Sequence, residues 1–379
     1  MHETDQLPID WPQPEPTLVP ESGAAEPDAP RPWFIPVVAG FLGATFAVAG
    51  VLAFDLGRTQ NTITDRVTER VITELVSSQN VNSRAAAVAL VVVPSVVTVE
   101  LPNASGSGVI LDAENGYIVT NEHVVTDAAT VSIILSDGRK YEGEVLGTDI
   151  LTDLAVVQID GDGLTAIDLG STEGLIVGDS AIAVGNPLGL RGGPTVTVGV
   201  LSAFDRQVRG DTPSEDLFGM IQTDAPFNRG SSGGALVDNL GRLIGITTAL
   251  GVSDLGPEGL GFAIPVEVVS RVAGEIIATG SSGHAFLGIE GTTELVDLSD
   301  GAQAPVGVIV SQLLDGSSAG ANGIRTGDVI TTLDDQPVTT MEGLISILRR
   351  FSPDDQVTVG VNRNGETLTV VLRLGARES

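Results

Sequence analysis

Gly230-Ser231-Ser232-Gly233-Gly234 is the stretch of this chain best suited to presenting a nucleophile. A serine between glycines can sit in a tight turn whose N–H groups converge on one point, because glycine permits the close approach and the φ values this needs. Such a point can hold an oxyanion. Taken alone, a Gly/Ser run is usually a plain turn, so partners must be sought elsewhere. The chain has three histidines. His2 lies near the N-terminus, His284 in an inter-domain segment, and His123 at the exit of the apolar run Tyr117-Ile118-Val119. A neutral imidazole is the natural base for a serine hydroxyl near pH 7. Asp153 enters the apolar strand Leu154-Ala155-Val156-Val157, where an unpaired carboxylate is costly; orienting His123 would give it a partner. The ordered set His123, Asp153, Ser232 points to acyl transfer through an activated serine. Ser105 and Ser107, also beside glycines, read as structural residues of a hairpin edge before the His123 strand.

The elements needed to position these residues are short strands. Val96-Val97-Thr98-Val99 and Val131-Ser132-Ile133-Ile134-Leu135 alternate with Gly, Asp and Asn turns, and the pattern runs to about residue 266, as expected of a pair of β-barrels. The stretch Pro265 to Ile277 places Val266, Val269, Val272 and Ile276 on one side of a closing helix.

The strings GYIVTNEHVV, TDLAVVQI, VGNPLGL, TDAPFNRGSSGGALVD and GLGFAIP resemble, in order and spacing, those of the HtrA (Deg) serine proteases. The resemblance spans roughly residues 88 to 376 and implies a mainly β protein, with a chymotrypsin-like double β-barrel protease domain followed by a small αβ PDZ domain. It implies Ser232 as nucleophile, His123 as general base and Asp153 as its orienting carboxylate. It also implies an oxyanion hole from the N–H groups of Gly230 and Ser232, with the Ser231 peptide between them. Ser231 stands where the family usually has Asn, while Arg229 fits its pattern. The pocket segments around Pro226, Ala249 and Gly261 carry small or aliphatic residues, so cleavage after Val, Ala or similar residues is expected. Arg206, in Ser202-Ala203-Phe204-Asp205-Arg206, matches the family arginine that relays PDZ occupancy to the oxyanion loop. The surrounding segment, Phe204 to Met220, is polar enough to read as a mobile surface loop rather than a core strand.

From Gly283 a second unit begins. Phe286-Leu287-Gly288-Ile289 resembles the carboxylate-binding loop of a PDZ domain, and a helix from about Thr340 to Arg350 would form the far wall of its groove. The implied partner is a C-terminal peptide added as a strand.

A formal charge of −30 and a pI near 4.1 argue against nucleic acid as a partner. Without cysteine, redox and metal-thiolate chemistry is excluded; no cofactor is expected. Residues 1–32 are rich in Pro, Glu and Asp and read as a disordered acidic tail. Trp33 to Phe54 then carries no charge for 22 residues, which as a helix at about 1.5 Å per residue spans roughly 33 Å, enough for a bilayer core. A cleaved signal peptide is the rival reading, with small residues at Ala47-Val48-Ala49, but the long acidic region before it disfavours that. The expectation is a single transmembrane helix over 33–54, a stalk or linker over 55–87, a trypsin-like protease domain over 88–280 and a PDZ domain over 283–376, both extracytoplasmic. HtrA proteases are typically trimers held by aromatic side chains near the start of the protease domain. No Phe, Tyr or Trp lies between Phe54 and Tyr117, so the expected homotrimer rests on the resemblance alone. Two functions fit: a membrane-anchored endopeptidase degrading unfolded or damaged extracytoplasmic proteins, or a catalytically quiet PDZ-containing chaperone or sensor. The intact set of three residues favours the first.

Overall fold

The computed structural model describes residues 71–74, 76, 83–102, 104–186, 193–210, 216–226, 230–248 and 260–377. The expected tail and the 33–54 span lie outside them, and among the described residues no helix is long and apolar enough to cross a membrane.

Six strands, β1 (Val96–Glu100), β2 (Ser105–Asp112), β3 (Tyr117–Thr120), β4 (Thr130–Ile134), β5 (Lys140–Asp149) and β6 (Leu154–Ile159), close a barrel in the order β1-β2-β3-β6-β5-β4. A second barrel follows, from β7 (Ser180–Gly185), β8 (Thr195–Val208), β9 (Leu217–Thr223), β10 (Ala235–Val237), β11 (Leu243–Thr248) and β12 (Gly261–Pro265), in the order β10-β11-β12-β9-β8-β7. Every connection is antiparallel, so closure removes the open edges that such short strands would otherwise expose. Glycine makes room where the barrel walls crowd: a Cβ on Gly108 would press on Ile118, Val97 and Val99.

Helix α1 (Arg84–Val92) opens on a Ser83 cap. Its Ala87, Val88 and Val92 join the core, as does Ile72, which comes from the stretch read as a stalk. A four-residue helix, α2 (Glu122–Val125), follows β3. Helix α3 (Val266–Thr279) runs on from β12, buries Val266, Val269, Val272 and Ile276 as its periodicity requires, and ends on Gly280 at φ 82°.

The expected mobile loop 204–220 is instead largely a strand pair. β8 extends to Val208 and β9 begins at Leu217, with Arg206 opposite Met220. The polar composition hid three apolar side chains, Val208, Leu217 and Met220, whose burial holds the hairpin in the core.

The C-terminal unit has strands β13 (Ala285–Phe286), β14 (Ile289–Asp297), β15 (Gln303–Leu313), β16 (Val329–Leu333), β17 (Gln336–Pro337), β18 (Gln356–Arg363), β19 (Glu366–Arg373) and β20 (Gly375–Ala376). The main sheet runs β14-β15-β16-β18-β19, and β13 pairs with β20. Helices α4 (Ser318–Ala321) and α5 (Met341–Leu348), each capped by a hydroxyl, Ser317 and Thr340, complete it. Leu344 and Ile347 of α5 pack in its own apolar core.

Polar contacts tie this unit to the barrels. Glu275 of α3 accepts from Ser282 Oγ, the Gly283 N–H and Ser352 Oγ. Burial pulls its carboxyl up, but these hydrogen bonds and Arg271 outweigh that and hold it below the ordinary range. Ser346 of α5 donates to Asp205 at 3.0 Å.

Candidate active site

The turn from β5 to β6 delivers Asp153 at φ 55°, a left-handed conformation that Asp tolerates better than most residues. Helix α2 delivers His123 from the exit of β3. The two side chains meet: His123 Nδ1 lies 2.8 Å from Asp153 Oδ1 and 3.0 Å from Oδ2. The His123 backbone N–H donates to Oδ1 at 3.1 Å, and Thr248 Oγ1 donates to Oδ2 at 3.0 Å. Asn121 Nδ2 holds the Asp153 carbonyl at 2.8 Å. The carboxylate is sealed, with its side chain 3% exposed, whereas the imidazole is 32% exposed. Nδ1 is therefore committed to Asp153, and Nε2 is the nitrogen left to exchange a proton. Beside them, burial and then the nearby Asp153 charge push the Glu122 carboxyl up.

The Gly230–Gly234 stretch precedes β10, and its buried Ser232 lies in a turn fastened by both barrels. Gly230 and Gly233 take φ 91° and 83°, where a side chain would be strained. From the first barrel, the Ser107 N–H donates to the Ser232 carbonyl at 2.8 Å, and Ser107 Oγ donates to the Gly230 carbonyl at 2.8 Å. From the second, Thr247 Oγ1 donates to the Ser231 carbonyl at 2.6 Å. A Cβ on Gly233 would press into the Ser107 carbonyl oxygen and Thr120 Oγ1. That position therefore requires glycine for space as well as for φ.

His123 and Asp153 are thus brought into contact, and Ser232 stands on a turn of the kind its flanking glycines announced. Of the pocket residues, Gly261 pairs with Thr223 at the edge of β12 and the Pro226 carbonyl accepts from Thr197 Oγ1 at 3.0 Å; Ala249 lies outside the described residues. Arg206 donates from Nε to Gln222 Oε1 at 2.9 Å, across the β8–β9 pair, rather than to any described carbonyl of the Gly230–Gly234 turn. Sequence reasoning missed Thr248, Asn121, Thr247 and the part Ser107 plays. A hydroxyl on a strand carries no signal until its register against another barrel is known, though Thr120-Asn121 directly before Glu122-His123 hinted at a braced strand exit.

In the C-terminal unit, Phe286, Leu287 and Ile289 face Leu344 and Leu348 of α5 across a groove of about 450 Å³. Gly288, at φ 75°, packs so close to Ser317 that a Cβ would clash. His284, expected only in a connecting segment, is buried and joins Asp149 Oδ1 at 2.8 Å to Arg349 Nη1 at 2.7 Å.

Residues 106–246 match the model of the trypsin-like peptidase domain, and residues 285–374 match that of the PDZ domain. The chain is 42% identical over 274 residues to the periplasmic serine endoprotease DegP of Escherichia coli (strain K12), covering 72% of this chain and 57% of that protein. To the periplasmic pH-dependent serine endoprotease DegQ of the same organism it is 40% identical over 277 residues, covering 72% of this chain and 60% of the relative. It thus spans somewhat over half the length of these curated relatives. Among solved structures, the HtrA-type protease AlgW with a tripeptide superposes with a TM-score of 0.62 at 34% identity, covering 78% of this chain and 98% of that one.

Proposed function

The chain belongs to the HtrA family of serine proteases, and we propose that it is a serine endopeptidase whose PDZ groove binds peptide ends. The observation that carries this is the sealed Asp153 carboxylate gripping His123 Nδ1, tied to the Ser232 turn through adjacent residues of β11, Thr248 on Asp153 and Thr247 on the Ser231 carbonyl. In the reaction Ser232 Oγ attacks the scissile carbonyl carbon while His123 Nε2 takes the hydroxyl proton, and the carbonyl π pair moves onto oxygen. The N–H groups of Gly230 and Ser232 receive that oxyanion. On collapse His123 returns the proton to the leaving amine, and water then repeats the sequence to release the acyl group. Asp153 keeps the imidazole in the tautomer with its proton on Nδ1 and stabilises its cation.

Several finer readings extend this one. The small residues at Pro226, Ala249 and Gly261 suit cleavage after Val or Ala. Phe286, Leu287, Gly288 and Ile289 would receive a peptide C-terminus, a reading supported by the peptide-bound AlgW structures. The periplasmic relatives support an extracytoplasmic site, the uncharged run 33–54 would serve as anchor, and unfolded proteins would be the substrates. The assembly would be the family homotrimer, and domain limits of 88–280 and 283–376 bracket both matched segments. Labelling the full chain with a fluorophosphonate, with and without Ser232→Ala, tests the core of the proposal. Label on wild type and none on the variant is expected; equal labelling of both would remove Ser232 as nucleophile.

A further inference from the structure

The three carbonyls of residues 230–232 are all anchored, and two of the anchors are side-chain hydroxyls that a peptidase mechanism does not itself require. Ser107, fully buried on β2, donates from Oγ to the Gly230 carbonyl at 2.8 Å, while its own oxygen accepts the Asn186 N–H at 2.8 Å. Its backbone is fixed as well, the N–H on the Ser232 carbonyl at 2.8 Å and the carbonyl on Thr120 Oγ1 at 2.6 Å. Thr247, 2% exposed on β11, donates from Oγ1 to the Ser231 carbonyl, which also receives the Gly234 N–H at 3.0 Å. The Thr247 backbone bonds Gly233 and Gly234, with the Gly233 N–H on its carbonyl at 2.8 Å and its own N–H on the Gly234 carbonyl at 2.9 Å.

In a planar trans peptide the carbonyl and the following N–H point in opposite directions. Pinning the Ser231 carbonyl toward β11 therefore aims the Ser232 N–H the other way, and pinning the Gly230 carbonyl toward β2 fixes the Gly230–Ser231 peptide plane that links the Gly230 and Ser232 N–H groups. Gly230 is the residue least able to hold its own conformation, and the Ser107 hydroxyl is the group that holds it. We propose that Thr247 and Ser107 are positioning residues of the oxyanion hole, one from each barrel: Thr247 aims the Ser232 N–H through the Ser231 carbonyl, and Ser107 holds the peptide plane that joins the two donors through the Gly230 carbonyl. This rests on the serine peptidase reading above. It makes the register between the two barrels, and not only the turn sequence, a determinant of transition-state stabilisation.

The test uses the full chain, an aliphatic peptide p-nitroanilide and a peptide boronic acid, whose tetrahedral adduct occupies the hole. Thr247→Val keeps the shape and removes the hydroxyl, Thr247→Ser keeps the hydroxyl, and Ser107→Ala probes the other barrel. Thr247→Val and Ser107→Ala should each lower kcat by about 10- to 100-fold, short of the roughly 100- to 1,000-fold expected on losing a donor outright. KM should stay within about twofold, boronate affinity should fall in step with kcat/KM, and Thr247→Ser should stay within about threefold of wild type. Circular dichroism checks the fold of each variant, and the two sites report independently should one variant fail to fold. Wild-type kcat and boronate affinity in Thr247→Val or Ser107→Ala, or equal losses in Thr247→Ser and Thr247→Val, would overturn the inference. Run in parallel, Ser232→Ala separates the two failures: if it hydrolyses at the wild-type rate the peptidase reading falls, and if it is dead while the hydroxyl variants are unaffected only the positioning role falls.

Discussion

Asp149→Asn should expose the cost of an unbalanced charge buried between the barrels and the PDZ unit. A guanidinium can only donate, so the 2.7 Å contact from Arg349 Nη1 makes His284 Nδ1 an acceptor and places the imidazole proton on Nε2, toward Asp149 Oδ1 at 2.8 Å. The imidazole is then a neutral link between one cation and one anion. Burial pushes the Arg349 guanidinium down to about 10, so the folded site opposes that charge even with Asp149 present. Arg349 Nε adds to this, being buried with no hydrogen-bond partner among the described residues. Asp149→Asn keeps the shape, removes the anion and should cost about 3 to 5 kcal/mol, the range for breaking one side of a buried pair. Arg349→Met removes the cation while His284 and Thr152 still satisfy Asp149, so it should cost only about 1 kcal/mol. The double variant should then resemble Arg349→Met alone, with a coupling of about 3 to 5 kcal/mol in the cycle. Urea unfolding followed by circular dichroism, with calorimetry to resolve separate transitions, measures all four proteins. If Asp149→Asn stays within about 0.5 kcal/mol of wild type, or the two changes simply add, Asp149 does not balance the Arg349 charge.

Thr248→Val removes the hydroxyl that holds Asp153 Oδ2 at 3.0 Å. Since hydrogen bonds to charged groups are worth about 1.5 to 3 kcal/mol, kcat on the p-nitroanilide should fall about tenfold or more with the fold retained, and an unchanged kcat would show that the His123 contacts suffice. Gly233→Ala forces a Cβ against the Ser107 carbonyl at φ 83° and should lower stability by about 2 kcal/mol or more as well as abolish hydrolysis; a stable, active variant would refute the close packing. Asp149, Glu275 and Asp328 are all held below the ordinary carboxylate range. In Asp149 burial opposes the effect and the His284 hydrogen bond prevails; in Asp328 the Arg363 hydrogen bond leads. Because these values are depressed in the folded state, the unfolded chain binds protons first. Their stabilisation should be complete above about pH 5 and be lost as pH falls through the ordinary carboxylate values toward the depressed ones. Acid titration of the unfolding free energy checks this, and stability that does not decline below pH 4 would contradict it.

Local chemistry made much of this protein legible in the sequence. Alternating Val and Ile runs between Gly, Asp and Asn turns announce barrel strands because their period matches the pleat, and α3 announced itself through its apolar spacing. His123, Asp153 and Ser232 stood out because an imidazole, a carboxylate entering an apolar strand and a serine among glycines each call for a partner that short-range structure does not supply. The loop 204–220 misled because only three of its apolar side chains are buried, and their burial depends on strands far away in sequence. What only the tertiary structure decided is long-range register. Thr248 reaches Asp153 across 95 residues, Ser107 reaches Gly230 across 123, and His284 reaches Asp149 across 135. A hydroxyl or an imidazole on a strand looks the same in sequence whether it faces water or a distant carbonyl. The packing of the barrels on each other and on the PDZ unit selects its partner, and the penalty for burying an unpaired polar group makes that selection stringent.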